Sequence, residues 1–420
     1  MKAVKPKKVE KFNPNSLIVT IDIGKATHYG YFRAPDGTEV KPFEFQTSRK
    51  SFDTFYHKAR QFADSQGLDE IIVGFESTGP YAEPLFHYLT DKPVKLVQIN
   101  PMHTKRIKEL TGNSPNKTDR KDPRVIADVI ALGHVLTLVI PRQAAAELRR
   151  LSHARQACIK KRTAACNQLN DRVYILFPEF TKIFKDITCK SALYLLDQHP
   201  LPEDIVAMGP QRLAELLKKI SRGRIRAQKT DQLIAAARHS VGLKEGRQAI
   251  CLEIGLLINE IRMHNQSIAQ LEELMAQGLK KVAYSGSMLS IKGISVVTVA
   301  GLIGEVGDFR QFKTICEITK LAGLDLYEIS SGTRKNGRRR ISKRGRPLMR
   351  KLLFFAAINT IKPGGILHDN YQKMLKRGMQ KIKAVVAISR KLLAIIFALV
   401  RDNSVYVENY RRDHQFKLAA

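Results

Sequence analysis

Cysteine is scarce in this chain: five residues in 420, none in a CxxC pair. The odd, scattered set of Cys158, Cys166, Cys189, Cys251 and Cys316 excludes a disulfide framework and a structural zinc site, and fits a reducing cytoplasm. Long apolar runs are absent too. Even the stretch 384–400 carries Arg390 and Lys391 in its middle, so no membrane span is expected. The lysine-rich start, residues 1–11, leads into no apolar signal core and reads as a basic arm. No GxGxxG or P-loop follows any apolar run, which removes the sequence support for dinucleotide or ATP chemistry. Acidic residues are the last shortage. Asp and Glu total 39 against 71 Lys and Arg, a formal net charge of +32. Self-repulsion of that size is tolerable when a polyanion is bound, and nucleic acid is the expected partner.

What is present can fold. Hydrophobic residues make up 44% of the chain, and its length suits two or three domains. Residues 16–23 (SLIVTIDI) are an apolar, β-branched run and predict a buried strand. Residues 28–33 and 38–47 predict two more strands, joined through the turn Pro35–Asp36–Gly37. A helix over 48–66 follows, with Phe52, Phe55, Ala59 and Phe62 on one face. A strand over 70–75, a helix over 81–89, a strand over 94–99 and a helix over 101–110 complete the pattern. Three strands and then alternating helix and strand is the order of a mixed α/β sheet of the ribonuclease-H type, flanked by helices.

Residues 119–133 (DRKDPRVIADVIALG) predict one helix, with Pro123 in its first turn, where a missing N–H costs nothing. Two long helices follow, over 144–176 and 244–275, around a variable helical stretch with a basic patch at 222–229. The second has a coiled-coil seam of Ile250, Ile254, Leu257, Ile261, His264, Ile268, Leu271 and Met275, three and four apart. In the first helix Arg155 and Arg162 occupy seam positions. The two can pair with each other or with a second protomer, and His264 reads as a packing residue. Residues 289–308 place a Gly-containing turn, Lys292–Gly293–Ile294, before a small-residue helix. That pattern is either a helix-hairpin-helix receiving a phosphate or a plain tight helix pair. A mostly apolar core helix is expected over 381–406.

Four acids stand out. Asp22 lies inside the first apolar strand, where a charge is costly unless something binds it. Glu76 ends the strand EIIVGFE, and strand ends are where ligand sites gather in such sheets. Asp119 and Asp122 are three apart and share a face if helical. Taken singly, they read as a cap, a dipole partner or a strand terminus. Jointly they make a carboxylate set of hard oxygen donors, suited to two magnesium or manganese ions assisting phosphodiester cleavage.

The second constellation is basic. Of the eighteen residues 334–351, ten are Lys or Arg and none is acidic: Arg334, Lys335, Arg338, Arg339, Arg340, Lys343, Arg344, Arg346, Arg350 and Lys351. Such density neutralises phosphates. Ser330 and Ser331 stand just before it. A hydroxyl among arginines can attack phosphorus, or the pair simply shapes a turn before Gly332.

The stretches IDIGK, GFESTGPY, NKTDRKDPRVIAD and the block GL…SG…ISKRG…LMRKLL resemble the transposases of the insertion sequence one-ten family, over nearly the whole chain and in the same order. The resemblance implies a RuvC-like catalytic domain at 1–141, a helical coiled-coil arm at 142–280 and a C-terminal transposase domain at 281–420. It implies a serine recombinase of the DEDD type, with Asp22, Glu76, Asp119 and Asp122 as metal ligands and Ser331 as nucleophile. Double-stranded DNA, a structured bridge RNA and a homo-oligomer (dimer or tetramer) are the implied partners. The bacterial cytoplasm, at the nucleoid, is the implied location. Two positions depart from the family pattern: Pro123 replaces a small residue, and Asp325 stands where proline follows GL, a change expected to leave the chemistry alone. Ser342 is a weaker candidate for the attacking hydroxyl. The competing readings are a Holliday-junction resolvase using metal-activated water, and a non-enzymatic nucleic-acid-binding protein.

Overall fold

A computed structural model describes residues 15–76, 79–111, 122–328 and 339–408, with the backbone alone at 110, 111, 122, 136 and 137. Two compact units emerge, residues 1–139 and 140–420.

The first unit is a mixed sheet covered by helices on both faces. Its strands β1 (Ser16–Ile23), β2 (Thr27–Arg33), β3 (Glu39–Gln46), β4 (Glu70–Glu76), β5 (Lys95–Ile99) and the two-residue β6 (Leu136–Thr137) lie in the order β3-β2-β1-β4-β5-β6. The pairs β1–β2 and β2–β3 are antiparallel, as adjacent hairpin strands must be, while β1–β4 and β4–β5 are parallel. Helices α1 (Arg49–Ser65), α2 (Glu83–Thr90), α3 (Pro101–Thr111) and α4 (Asp122–Ala131) provide the crossovers and the cover. This is the ribonuclease-H-like sheet expected from the strand order; β6 was too short to leave a pattern.

Alternation along the strands separates two cores. On one face Leu17, Val19, Ile21, Phe32, Phe45 and Phe75 pack against Phe52, Phe55, Ala59 and Ala63 of α1. Ala63 joins the buried face of α1, and Phe62, half-buried, packs against the same core beside Phe32. Ser48 caps α1, its hydroxyl accepting from the Ser51 amide. On the other face Ile72, Val97 and Ile99 meet Ile126, Val129 and Ile130 of α4.

His28 is buried in the α1-side core beside Phe45 and Phe52. Its Nε2 pairs with the Thr47 hydroxyl at 3.0 Å, and its Nδ1 makes no hydrogen bond among the described residues. Burial lowers its pKa below the ordinary 6.5. The folded unit thus holds a neutral imidazole, while the unfolded chain takes up a proton once pH falls below about 6.5. Stability is fully present above that value and declines below it. Denaturant titrations from pH 8 to 5 should show this fall, and His28→Phe should flatten it; equal slopes in the two proteins would remove His28 as the cause.

The second unit starts with α5 (Gln143–Leu176) and returns through α11 (Arg247–Leu279). The two are antiparallel partners within the chain, as Arg155–Glu272, Arg162–Asn265 and Arg172–Glu253 show. Those pairs explain the imperfect pattern of α5, whose seam arginines reach polar groups of α11. Ile254, Ile258, Ile261, His264, Ile268 and Met275 form the buried stripe of α11. Ile258 joins the stripe, and Leu257, half-buried, packs against the same core. His264 is buried and 3.3 Å from Glu260, the packing role expected of it. Between the long helices, α6 (Pro178–Ile183), α7 (Lys190–Gln198), α8 (Pro202–Met208), α9 (Pro210–Ser221) and α10 (Ala227–Arg238) form a bundle on the far halves of α5 and α11.

Beyond α11 come α12 (Ser285–Leu289), α13 (Val296–Val306), α14 (Ile315–Ala322), the strand pair β7 (Leu326–Tyr327) and β8 (Arg340–Ile341), α15 (Pro347–Thr360), α16 (His368–Lys376) and α17 (Lys381–Arg401). Their core includes Val299, Ile303, Leu353, Ile388 and Ile396, and it also takes in Leu148 of α5 and Met275 and Leu279 of α11. The last helix ends at Arg401, five residues before its expected limit. All five cysteines are free. No helix among the described residues is long and apolar enough to cross a membrane.

Candidate acidic site and serine segment

Asp22 and Glu76 come together through the parallel register of β1 and β4. Thr20 pairs with Gly74 and Ile21 with Phe75; one further step sets Asp22 level with Glu76, on strands about 4.8 Å apart. Both are half-buried and both have partners. Strand alternation puts them on the face of Thr20 and Gly74, which is the face of α4. Two contacts fix that helix there. The Thr20 hydroxyl donates to the Pro123 carbonyl at 2.7 Å. A Cβ on Gly74 would sit 2.2 Å from Ile130 Cδ1, so glycine admits the helix to the sheet.

The N-terminus of α4 is thereby seated beside β1, and its first residue is Asp122. Pro123 opens the helix where an N–H would be orphaned, and its backbone carbonyl, which any residue there would supply, takes the Thr20 bond. The side chain of Asp122 and the whole of Asp119 lie outside the described residues, as do Ser77 and Thr78. Among the described residues no group of three His, Cys, Asp or Glu side chains forms a metal cluster. The donor set nonetheless fits hard divalent cations: carboxylates only, at adjacent strand ends, next to a helix whose first residue is a third carboxylate.

Outward from α4, Arg33 pairs with Asp128 at 2.7 Å. Arg124 bonds Glu39 and lies 5.7 Å from the centre of the Tyr31 ring. Burial, and then its hydrogen bond to Glu39, push the Tyr31 hydroxyl up to about 12. Valine at Gly74 should cost about 1–3 kcal/mol by overpacking and lift α4 from the sheet. The cost is read from urea midpoints, and an unchanged midpoint would show that the close approach is not required.

The serine segment is framed rather than described. Ser330 and Ser331 lie outside the described residues, together with Arg334, Lys335 and Arg338. Its two flanks are bound to each other. Leu326 pairs with Ile341 and Tyr327 with Arg340, and Arg339 reaches Glu328 at 3.2 Å. Below them the Ser342 amide donates to the Asp325 carbonyl at 2.9 Å, the Lys343 amide to Gly323 O at 3.0 Å and the Arg346 amide to Leu321 O at 2.8 Å. The Ser342 hydroxyl donates to the Asp325 carboxylate. Ser342 and Asp325 therefore brace this frame together. Gly345 passes so close that a Cβ would lie 2.4 Å from Gly323 N.

The arginines expected to contact phosphate divide. Arg350 donates to Ala322 O at 2.9 Å and Gly345 O at 3.0 Å, and Arg346 to Glu305 O. Both guanidiniums are turned into the protein, holding the frame. Arg340, Lys343 and Arg344 are exposed, and Lys351 reaches Gln156 at 2.9 Å. At the glycine turn, Gly293 has φ +96° and Ser295 caps α13 through the Thr298 amide. These supports were invisible as motifs, because each is a pairing across many residues; Thr20, a polar residue two before Asp22 in an apolar strand, was the one available signal.

Two family models match. One, described as an IS110 DEDD transposase, covers residues 19–178, and the other, of the IS116/IS110/IS902 transposase family, covers 287–372. Among similar proteins is the uncharacterized 43.6 kDa protein of insertion element IS110 from Streptomyces coelicolor, 23% identical over 93% of this chain and 95% of the relative. The uncharacterized 42 kDa protein of IS900 from Mycobacterium paratuberculosis is 25% identical over 69% and 73% of the two chains. A pilin gene-inverting protein from Moraxella lacunata is 31% identical over 34% of this chain and 47% of its own. With models matching both its sheet domain and the region around its serine segment, the chain belongs to the IS110/IS116/IS902 family of transposases, enzymes of DNA phosphoryl transfer.

Proposed function

We propose that the protein is a site-specific DNA recombinase of a bacterial insertion sequence, cutting and rejoining DNA through a covalent phosphoserine link. The observation that carries this reading is the register of Asp22 with Glu76 on the face where α4 begins at Asp122. Asp22, Glu76, Asp119 and Asp122 would hold two magnesium or manganese ions, which supply Lewis acidity at the scissile phosphate. The Ser331 oxygen attacks phosphorus and forms a P–O bond as the bond to the leaving sugar oxygen breaks. The serine proton passes to water, and the sugar oxygen takes one up. Attack by the sugar hydroxyl of an exchanged strand reverses the step and frees the serine. Bond energy is conserved, in keeping with the missing nucleotide-binding loop. Arg334, Lys335, Arg338, Arg339, Arg340, Lys343, Arg344 and Lys351 neutralise the backbone around it.

The name of the Moraxella relative, a pilin gene-inverting protein, supports a site-specific reaction. The family resemblance supports the division at 141 and 280, a bridge RNA pairing with donor and target DNA, and assembly as a dimer or tetramer. The test is incubation with the element's ends, its flanking RNA and magnesium, scored for protein–DNA adducts and recombinant joints. Metal-dependent cutting with no adduct would favour the resolvase reading, and activity indifferent to all four acids would favour a binding protein.

A further inference from the structure

Glu305 is the one Asp, Glu, Lys or Arg buried among the described residues, at 2% exposure. Its place is doubly unfavourable. It lies in the last turn of α13, where helix carbonyls repel negative charge, and it is removed from water. Two arginines and a histidine answer it from two other segments. Arg149 of α5 lies 3.6 Å away and His153, one turn on, lies at 2.7 Å. Arg346 donates to Glu305's own carbonyl and so covers the end of α13. Burial alone would raise the Glu305 pKa, but the His153 hydrogen bond and the charges of Arg149 and Arg346 bring it below the ordinary value. Arg346 pays for the arrangement: burial, then repulsion by Arg149, push it down to about 10. The backbones are in contact here, since a Cβ on Gly304 would lie 2.6 Å from Arg149 N.

A well-packed apolar residue would be cheaper than a buried charge set of this kind, whose best-attested use is to fix register. The segment fixed here is specific. Arg346 lies in the basic run, just before α15, and its amide is already tied to Leu321 O at 2.8 Å. We infer that Glu305 is a positioning residue: its carbonyl holds the Arg346 guanidinium and its carboxylate, bound to Arg149 and His153 of α5, offsets the positive charge gathered there, so that the C-terminal flank of the serine segment stays against α5 at a set place for strand transfer. The role in transfer rests on the proposed function; the anchor itself rests on the contacts.

Hydrogen exchange on the full-length protein separates the two. Glu305→Gln keeps the shape but leaves Arg149 and Arg346 facing each other without a counter-charge. Exchange of amides in 339–350 should then rise by about tenfold or more, with residues 15–76 unchanged. Adding Arg149→Gln removes the repulsion and should recover most of the protection, which the loss of a merely structural contact would not do. Strand transfer by Glu305→Gln should slow by about tenfold or more at unchanged DNA affinity. The inference is overturned if exchange in 339–350 is unaffected, if it rises equally throughout 140–408, or if the second substitution worsens it. If Ser331→Ala still transfers strands, the functional reading fails while the exchange result judges the anchor alone.

Discussion

Ser331→Ala should abolish the proposed covalent protein–DNA adduct and lower recombination by at least about a thousandfold, the scale on which a removed nucleophile is felt. Binding of element ends stays near the parent level, because the cations that neutralise phosphates are untouched. Ser330→Ala is the internal control. It keeps the neighbouring hydroxyl and should retain adduct formation. The measurement is denaturing electrophoresis of labelled DNA with magnesium, alongside a filter-binding titration at fixed salt. A Ser331→Ala protein that still cuts DNA would sink the serine mechanism and leave water as the attacking group. If Ser330→Ala is the dead variant, the roles of the two serines are exchanged. Ser342, whose hydroxyl donates to the Asp325 carboxylate, is the third hydroxyl to test, and Ser342→Ala should retain adduct formation if Ser331 attacks.

Asp22→Asn and Glu76→Gln, separately, should each reduce cleavage roughly a hundredfold or more, the loss typical when one preorganised electrostatic partner is removed from a reacting phosphate. Each change deletes a charge without altering shape. Both residues stand at adjacent strand ends against the start of α4, so both should also raise the magnesium concentration needed for half-maximal rate. Folding is the control. Because each amide is nearly isosteric with the acid it replaces, the metal-free thermal midpoint should stay close to the parent value. A variant that loses activity by unfolding would show a lowered midpoint, and one that cleaves at the parent rate would remove that acid from the site.

Much of the first unit was legible because its strands are apolar runs bounded by turns, a local property. The positions of Asp22 and Glu76 on two strands were read correctly for that reason. Their adjacency was not local: it depends on the parallel pairing of β1 with β4, 54 residues apart, as between Ser16 and Glu70. The seam of α11 was also legible from its spacing, whereas its partner was not, since α5 and a second protomer present the same apolar stripe to a pattern. The frame under the serine segment left no periodic trace. Asp325, Ser342, Gly345 and Arg350 look like turn and basic-run residues until the chain folds back on itself.

Composition and order alone established a basic, nucleic-acid-directed chain with a sheet domain, long helices and a serine before a block of arginines. These follow from charge count and from periods of two and of three to four residues, which need no partner to be read. Tertiary structure decided which acid stands beside which and which arginines turn inward to the protein. It also decided that Glu305, an ordinary acid in sequence, is buried among Arg149, His153 and Arg346. Those outcomes depend on the desolvation of charges brought together from distant segments, and the cost of that desolvation does not exist until the chain is folded.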